Sequence, residues 1–243
     1  MYSYHSLSDV GKIRSTNEDS VFVSSNRYGH TLAVVADGMG GHNAGDVASK
    51  VIVNKISKMW ATTAKISSVS EAKTWLTNQI KEVNTHILKY SQTNGQLNGM
   101  GSTVVVAVCL EDKTIIANVG DSRAYAVFNS KLLQITKDQT LVNELLDQGE
   151  ITELEAKFHP QKNILMQAVG TSKVLKIDFY EIENDYKYLL LCSDGLTNMV
   201  DYKVIEEVIL NNELETSVSK LVELANSNGG HDNVTVVLLK DGE

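Results

Sequence analysis

Proline occurs once, at Pro160, in 243 residues. Proline-rich linkers are therefore absent, and no composition shift divides the chain into modules. Cysteine is almost as scarce. Cys109 and Cys192 both lie inside apolar runs, so they are expected as small buried hydrophobes rather than as a disulfide or a reactive pair. No apolar stretch approaches the length of a membrane span. The segment Met1 to Gly11 lacks a basic stretch followed by an apolar one. No secretory signal is expected from it, and the cytoplasm is the default compartment. Positive charge is in deficit: 22 Lys and Arg stand against 30 Asp and Glu, a net charge of -8. This argues against nucleic acid as a main partner, because phosphate backbones need a basic footprint. Part of the acidity fits a metal site, since bound divalent ions would offset it.

What is present is core-forming sequence. Hydrophobic residues make up 42% of the chain, and a single domain spanning 1–243 is expected at this length. Strand-like runs lie near 2–9, 20–25, 31–37, 102–110, 113–119, 122–128, 131–135, 176–182, 187–193 and 233–240. Glu111-Asp112 and Asn129-Ser130 separate adjacent runs as hairpin turns would. Apolar residues recur at helical spacing from 44 to 60, and from 70 to 90 with Ser70 as the expected N-cap. A third stretch, 202–226, reads as two helices split around Asn211-Asn212. The segment of about 141–175 differs. A short helical piece (Leu141, Leu145, Leu146) gives way to polar residues, Pro160 and Gly170, which suits a mobile flap. Strands and helices do not alternate strictly, so a doubly wound parallel sheet is not expected. The expected fold class is α+β: a central β-sandwich of two antiparallel sheets, flanked by pairs of α-helices in four layers.

Three of the apolar runs stop at an aspartate beside a glycine. Leu32 to Ala36 precedes Asp37-Gly38, Ile115 to Val119 precedes Gly120-Asp121, and Leu189 to Ser193 precedes Asp194-Gly195. A fourth acid, Asp232, stands just ahead of the run Val234 to Leu239. A carboxylate at the mouth of a buried strand is costly to desolvate without a positive partner. Convergent carboxylates are best neutralised by hard divalent cations with oxygen ligands. Paired cations of this kind commonly serve phosphoryl chemistry. Taken singly, each Asp-Gly pair reads equally well as a turn. Arg14-Ser15-Thr16-Asn17-Glu18-Asp19 adds a bidentate phosphate binder close to an acid pair. Arg123, beside Asp121, is read as a structural partner of that acid.

In order, Arg14-x-x-Asn17-Glu18-Asp19, Asp37-Gly38-Met39-Gly40-Gly41-His42, Gly101-Ser102-Thr103, Gly120-Asp121-Ser122-Arg123, Ser193-Asp194-Gly195 and Asp232-Asn233 resemble the motifs of the metal-dependent protein serine/threonine phosphatases of the PPM family, type 2C. The resemblance runs from Asp9 to Leu239, and the Gly-Met-Gly-Gly-His form is similar to the bacterial branch. It implies Mn²⁺ or Mg²⁺ as cofactor, two core ions and a third, weaker one. It implies that Asp37 bridges two ions, that Gly38 lends its carbonyl, and that Asp194 and Asp232 ligate the other ion. Glu18 and Asp19 would reach the ions partly through water, Asp121 would serve the third, and Arg14 would hold the substrate phosphate. His42 is the expected general acid, although it stands three residues later than the family's eukaryotic histidine. The implied partners are phosphorylated proteins, including a serine/threonine kinase and its targets, met by a monomer. Two departures bear on substrate preference. Met166-Gln167 replaces a Thr-Arg common in bacterial relatives, and Asp138-Gln139-Thr140 replaces Asp-His-Ser. A non-catalytic regulatory module and a hydrolase of small phosphate esters are the competing expectations.

Overall fold

The computed structural model describes residues 2–40 and 44–242. The chain opens with β1 (Ser3–Asp9), β2 (Asp19–Ser25) and β3 (Thr31–Met39), then two long helices, α1 (Ala44–Thr62) and α2 (Val69–Thr93). Strands β4 (Gly101–Ser102), β5 (Val104–Cys109), β6 (Lys113–Val119), β7 (Arg123–Phe128) and β8 (Lys131–Gln134) follow. Short helices α3 (Leu141–Asp147) and α4 (Glu153–Phe158) occupy the flap segment. The chain then forms β9 (Asp178–Glu183), β10 (Tyr188–Cys192), the single turn α5 (Asp194–Thr197), α6 (Tyr202–Asn211), α7 (Leu214–Ser227) and β11 (Val234–Lys240).

One sheet has the order β1-β11-β10-β7-β8, the other β2-β3-β5-β6-β9 with β4 paired to β3. Every pairing is antiparallel. The central strands carry no polar face because both faces are covered. On β3, Leu32, Val34 and Ala36 pack beneath α1 and α2. Their neighbours Ala33 and Val35 face the other sheet, where they meet the layer of Ala124, Ala126, Leu189, Leu191 and Val237. The outer face of that sheet packs against α6 and α7 through residues such as Leu190, Val236, Ile205 and Leu221. The four-layer αββα sandwich expected from the sequence is present. Alanines in the middle layer let the sheets approach closely. Trp60 locks the helical layer to β2: its indole N–H donates to the Ser24 carbonyl at 3.1 Å, and its ring meets Trp75 edge-on at 5.5 Å. No helix among the described residues is long and apolar enough to cross a membrane.

Both expected hairpins form. Asn129 and Ser130 take φ values of 49° and 60° between β7 and β8, the left-handed pair that a two-residue turn of matching twist requires. The expected strand over 102–110 is broken. Thr103 leaves the ladder between β4 and β5, donating its N–H to the Asp37 carbonyl at 2.8 Å. The N-cap of α2 is Ser68 rather than Ser70. Ser68 is extended (φ -153°, ψ 159°) and its hydroxyl accepts the Glu71 N–H. Glu71 returns a carboxylate oxygen to the Ser67 N–H at 2.7 Å, so the end is closed two residues earlier than periodicity alone indicated. Ser68→Ala is expected to lower the unfolding free energy by about 1 kcal/mol, and Ser70→Ala by less than about 0.5 kcal/mol. Urea denaturation of the two variants checks the assignment; equal losses would sink it.

Candidate functional site

Two acids meet at the end of the β2-β3 ladder: Asp19 is the direct cross-strand partner of Asp37. Like charges in this position repel, yet the pairing is held because Leu32, Val34 and Ala36 are packed under the helices while Ala33 and Val35 are packed against the other sheet. The main chain of Asp37 is held from the other side. Its N–H donates to the Thr103 hydroxyl at 3.2 Å, and its carbonyl accepts the Ser102 hydroxyl at 2.8 Å. The Thr103 hydroxyl also meets the Ser122 hydroxyl at 2.7 Å, tying this strand end to the turn that carries Asp121. Asp19 accepts the Ser193 hydroxyl on one oxygen at 2.7 Å. Its other oxygen, Oδ1, is buried without a partner among the described residues.

Asp194 opens α5 directly beyond β10, and Asn198 donates to its carboxylate at 2.9 Å. Gly195 is required there, since a Cβ would lie 1.9 Å from the Asn233 carbonyl. That contact sets the Asp194 turn against the Asp232-Asn233 segment. Gly38 is similarly constrained, because a Cβ would meet the Gly45 carbonyl oxygen at 2.1 Å. Asn233 organises the remaining wall. Its Oδ1 accepts the Glu18 N–H at 2.8 Å, and its amide donates to the Val10 and Thr16 carbonyls at 2.9 and 3.0 Å. The Arg14–Glu18 loop is thereby fixed over the cleft. Arg14 reaches Asp232 at 2.8 Å and the His231 carbonyl at 3.4 Å. Together Arg14, Glu18, Asp37, Asp121, Asp194 and Asp232 line a cleft of about 240 Å³, with Asn163 and Leu165 of the flap on its far side.

Burial is the first cause of the electrostatics here. It pushes Asp19 and Asp121 up to about 7 and raises Asp194. Asp37 rises well above the usual carboxylate range, with Asp19, Asp194, Asp121 and Asp232 adding repulsion to its burial. Glu18 is raised as well, by desolvation, against the opposing pull of Arg14 and the Asp46 N–H. Among the described residues one guanidinium thus faces five cleft carboxylates and a sixth, Asp19, buried behind them.

Comparison with known proteins identifies the family. Residues 13–238 match the family model described as protein phosphatase 2C. The chain belongs to the protein phosphatase 2C family. It is 44% identical over 234 residues to the serine/threonine phosphatase stp of Listeria monocytogenes, covering 96% of this chain and 93% of that one. It is 39% identical over 239 residues to the protein phosphatase PhpP of Streptococcus pneumoniae, covering 98% and 96%. Among solved structures, the serine/threonine phosphatase Stp1 of Staphylococcus aureus superposes with a TM-score of 0.93 at 39% identity, covering 100% of this chain and 96% of that one. The catalytic domain of the serine/threonine phosphatase PstP, solved with two manganese ions, gives 0.86 at 33% identity, covering 98% and 97%.

The donor set of this member of the family suits hard divalent ions: it is all oxygen, carries surplus negative charge and includes the orphaned Oδ1 of Asp19. Among the described residues no three Asp, Glu, His or Cys side chains are gathered closely enough to form an all-protein cage. Ions that keep several of their waters need only one or two carboxylates each, so the residues fit. The structure brings Arg14, Glu18, Asp37, Gly38, Asp121, Asp194 and Asp232 onto one cleft. Asp19 stands behind them, and His42 lies outside the described residues. Arg123 is not the partner of Asp121. It grips Asp138 through three hydrogen bonds of 2.7–3.0 Å. The sequence motifs include Asn233, Ser193 and Thr103 but gave them no role; Asn233 and Ser193 adjoin a motif acid, whereas Thr103 stands in Gly101-Ser102-Thr103, which holds none.

Raised folded-state values mean that the folded chain keeps protons that the unfolded chain has released. Stability of the metal-free protein is therefore fully present below the ordinary carboxylate value near 4 and is lost as pH rises through about 7. The unfolding free energy in EDTA is expected to fall from pH 5 to pH 7.5 by an amount on the order of a few kcal/mol, read as a falling thermal midpoint, and Mn²⁺ is expected to restore stability at the higher pH. A midpoint that climbs over that interval in EDTA would show that the acids do not converge.

Proposed function

We propose that the chain is a metal-dependent protein serine/threonine phosphatase that hydrolyses phosphoserine and phosphothreonine monoesters and reverses the action of a serine/threonine kinase. The whole of 1–243 acts as one catalytic domain, a cytoplasmic monomer working on phosphorylated proteins, the kinase among them. The observation that carries this is the opposed Asp19–Asp37 pair, ringed by further acids and Arg14 around one cleft in a chain of the protein phosphatase 2C family.

In this reading Mn²⁺ or Mg²⁺ would be held by Asp37, the Gly38 carbonyl, Asp194 and Asp232, with Glu18 and Asp19 in support and Asp121 available to a third, weaker ion. Such ions, when bound, lower the pKa of water towards neutrality and offset charge on a phosphoryl oxygen. The protein's own groups do the rest. Arg14 stands half-exposed at the cleft mouth, where its fork can take two phosphate oxygens. Asn233 holds the loop that aims it. Thr103 and Ser102 fix the direction of the Asp37 carboxylate through its main chain. His42 is the proposed proton donor to the leaving seryl or threonyl oxygen. Neither cysteine serves as nucleophile: both are buried, and burial pushes the thiols up to about 11 at Cys109 and about 12 at Cys192.

Hydrolysis of a phosphothreonine peptide, after EDTA stripping and with Mn²⁺ restored, tests the proposal. Turnover is expected only with metal. Asp37→Asn and Asp194→Asn are expected to lose it by a factor of about 10³ or more, and Arg14→Ala to lower kcat/KM by about 10²–10³. Metal-independent turnover, or an Asp194→Asn enzyme that keeps its rate, would overturn it. Faster turnover of nucleotides than of phosphopeptides would point instead to small phosphate esters.

A further inference from the structure

The reaction cleft does not end at the acids. It runs on, past Asp121, Asn163 and Asp194, into a second recess of about 360 Å³ between the flap and the end of α5. A phosphate group alone needs only the first chamber, so the second lies where the chain flanking a phosphorylated residue would pass. Its outer wall is built by α4 and the segment after it. A capping box closes α4, with Thr152 and Glu155 each accepting from the other's backbone, and this holds Lys157 over the recess. The Leu141 N–H donates to the Ile164 carbonyl at 2.9 Å, and the residues around Thr140 and Leu165 form a bridge. Both contacts anchor the segment just beyond Lys162.

The charges in the recess are unevenly matched. Arg123 and Asp138 neutralise each other through their three hydrogen bonds. Lys157 and Lys162 line the recess and, among the described residues, make no ion pair with any carboxylate. Among the described residues Glu153 is the one acid on that wall, so the flap side carries a surplus of one positive charge. Asp121 and Asp194, on the inner side, are turned to the reaction cleft as well.

We propose that this recess is a substrate subsite for an anionic group borne by a residue close to the phosphorylated one, with Lys157 and Lys162 as the cations that receive it. The inference rests on the phosphatase reading of the adjoining cleft. The anion is either a carboxylate side chain or a second phosphate, and both offer the same charge to the two ammonium groups. Ammonium groups at the surface attract at modest strength and lose it in salt.

The test measures kcat/KM with Mn²⁺ on four phosphothreonine peptides that differ only beside the phosphorylated residue: neutral, glutamate-bearing, carrying a second phosphothreonine, and lysine-bearing. The wild-type enzyme is expected to favour the two anionic peptides over the neutral one by about three- to tenfold at low salt, chiefly through KM, and to disfavour the lysine peptide. In Lys157→Glu/Lys162→Glu, checked for folding by its melting curve, the order should invert. Lys157→Gln/Lys162→Gln should flatten it. A preference confined to the doubly phosphorylated peptide would assign the subsite to phosphate, and one shared with the glutamate peptide to any anion. Equal turnover of all four peptides by the wild type, or a preference that survives charge reversal, would overturn the subsite while leaving the phosphatase reading intact. No turnover of any peptide, nor of p-nitrophenyl phosphate, would instead overturn the phosphatase reading itself.

Discussion

Asp19 and Asp37 face each other across two neighbouring strands, and their mutual repulsion is the constraint around which the rest of this molecule is arranged. Ordinary sheets avoid such pairs. Here the strands cannot slide to relieve it, because Leu32, Val34 and Ala36 are committed to the helices and Ala33 and Val35 to the opposite sheet. A shift by one residue would turn each set to the wrong layer. The sandwich therefore holds its carboxylates in a state that only protons or cations can ease. That is the condition a metal-dependent phosphatase requires of its site before any substrate arrives.

The scaffold that keeps these acids in place is almost wholly uncharged. Hydroxyls of Ser102, Thr103, Ser122 and Ser193 and the amide of Asn233 supply the contacts. Further acids would have deepened the repulsion, and further cations would have competed with the ions the site is suited to bind. Neutral donors and acceptors can position a carboxylate without setting its charge. Among the described residues Arg14 is the single cation lining the cleft, where it is half-exposed. Arg123 is kept out of the site by Asp138.

Much of this was legible in the chain before folding. Buried strands with two covered faces lose polar alternation, so the runs from Leu32, Ile115, Leu189 and Val234 announced themselves, and each acid stood where its run stopped or began. The hairpin at Asn129-Ser130 was legible because few residue pairs tolerate its backbone. The helix start at Ser68 was not. Ser68 and Ser70 are equally good caps by type, and only the reach of Glu71 back to the Ser67 N–H distinguishes them. The pairing of Arg123 with Asp138, across a hairpin, was hidden for a similar reason: an adjacent acid is the natural guess when only spacing is visible.

By itself the sequence determined the layers of the sandwich, the identity of its acids and the family's chemistry, because these depend on residue type, local periodicity and motif order. Only the tertiary structure decided which acid faces which, that Asn233 carries the Arg14 loop, and that the cleft opens into a recess lined by Lys157 and Lys162. Those facts join residues far apart in the chain, as from Glu18 to Asn233 or from Asp19 to Ser193. Their contacts exist only once two sheets have closed on one another, and no local pattern of side chains encodes a distance across that closure.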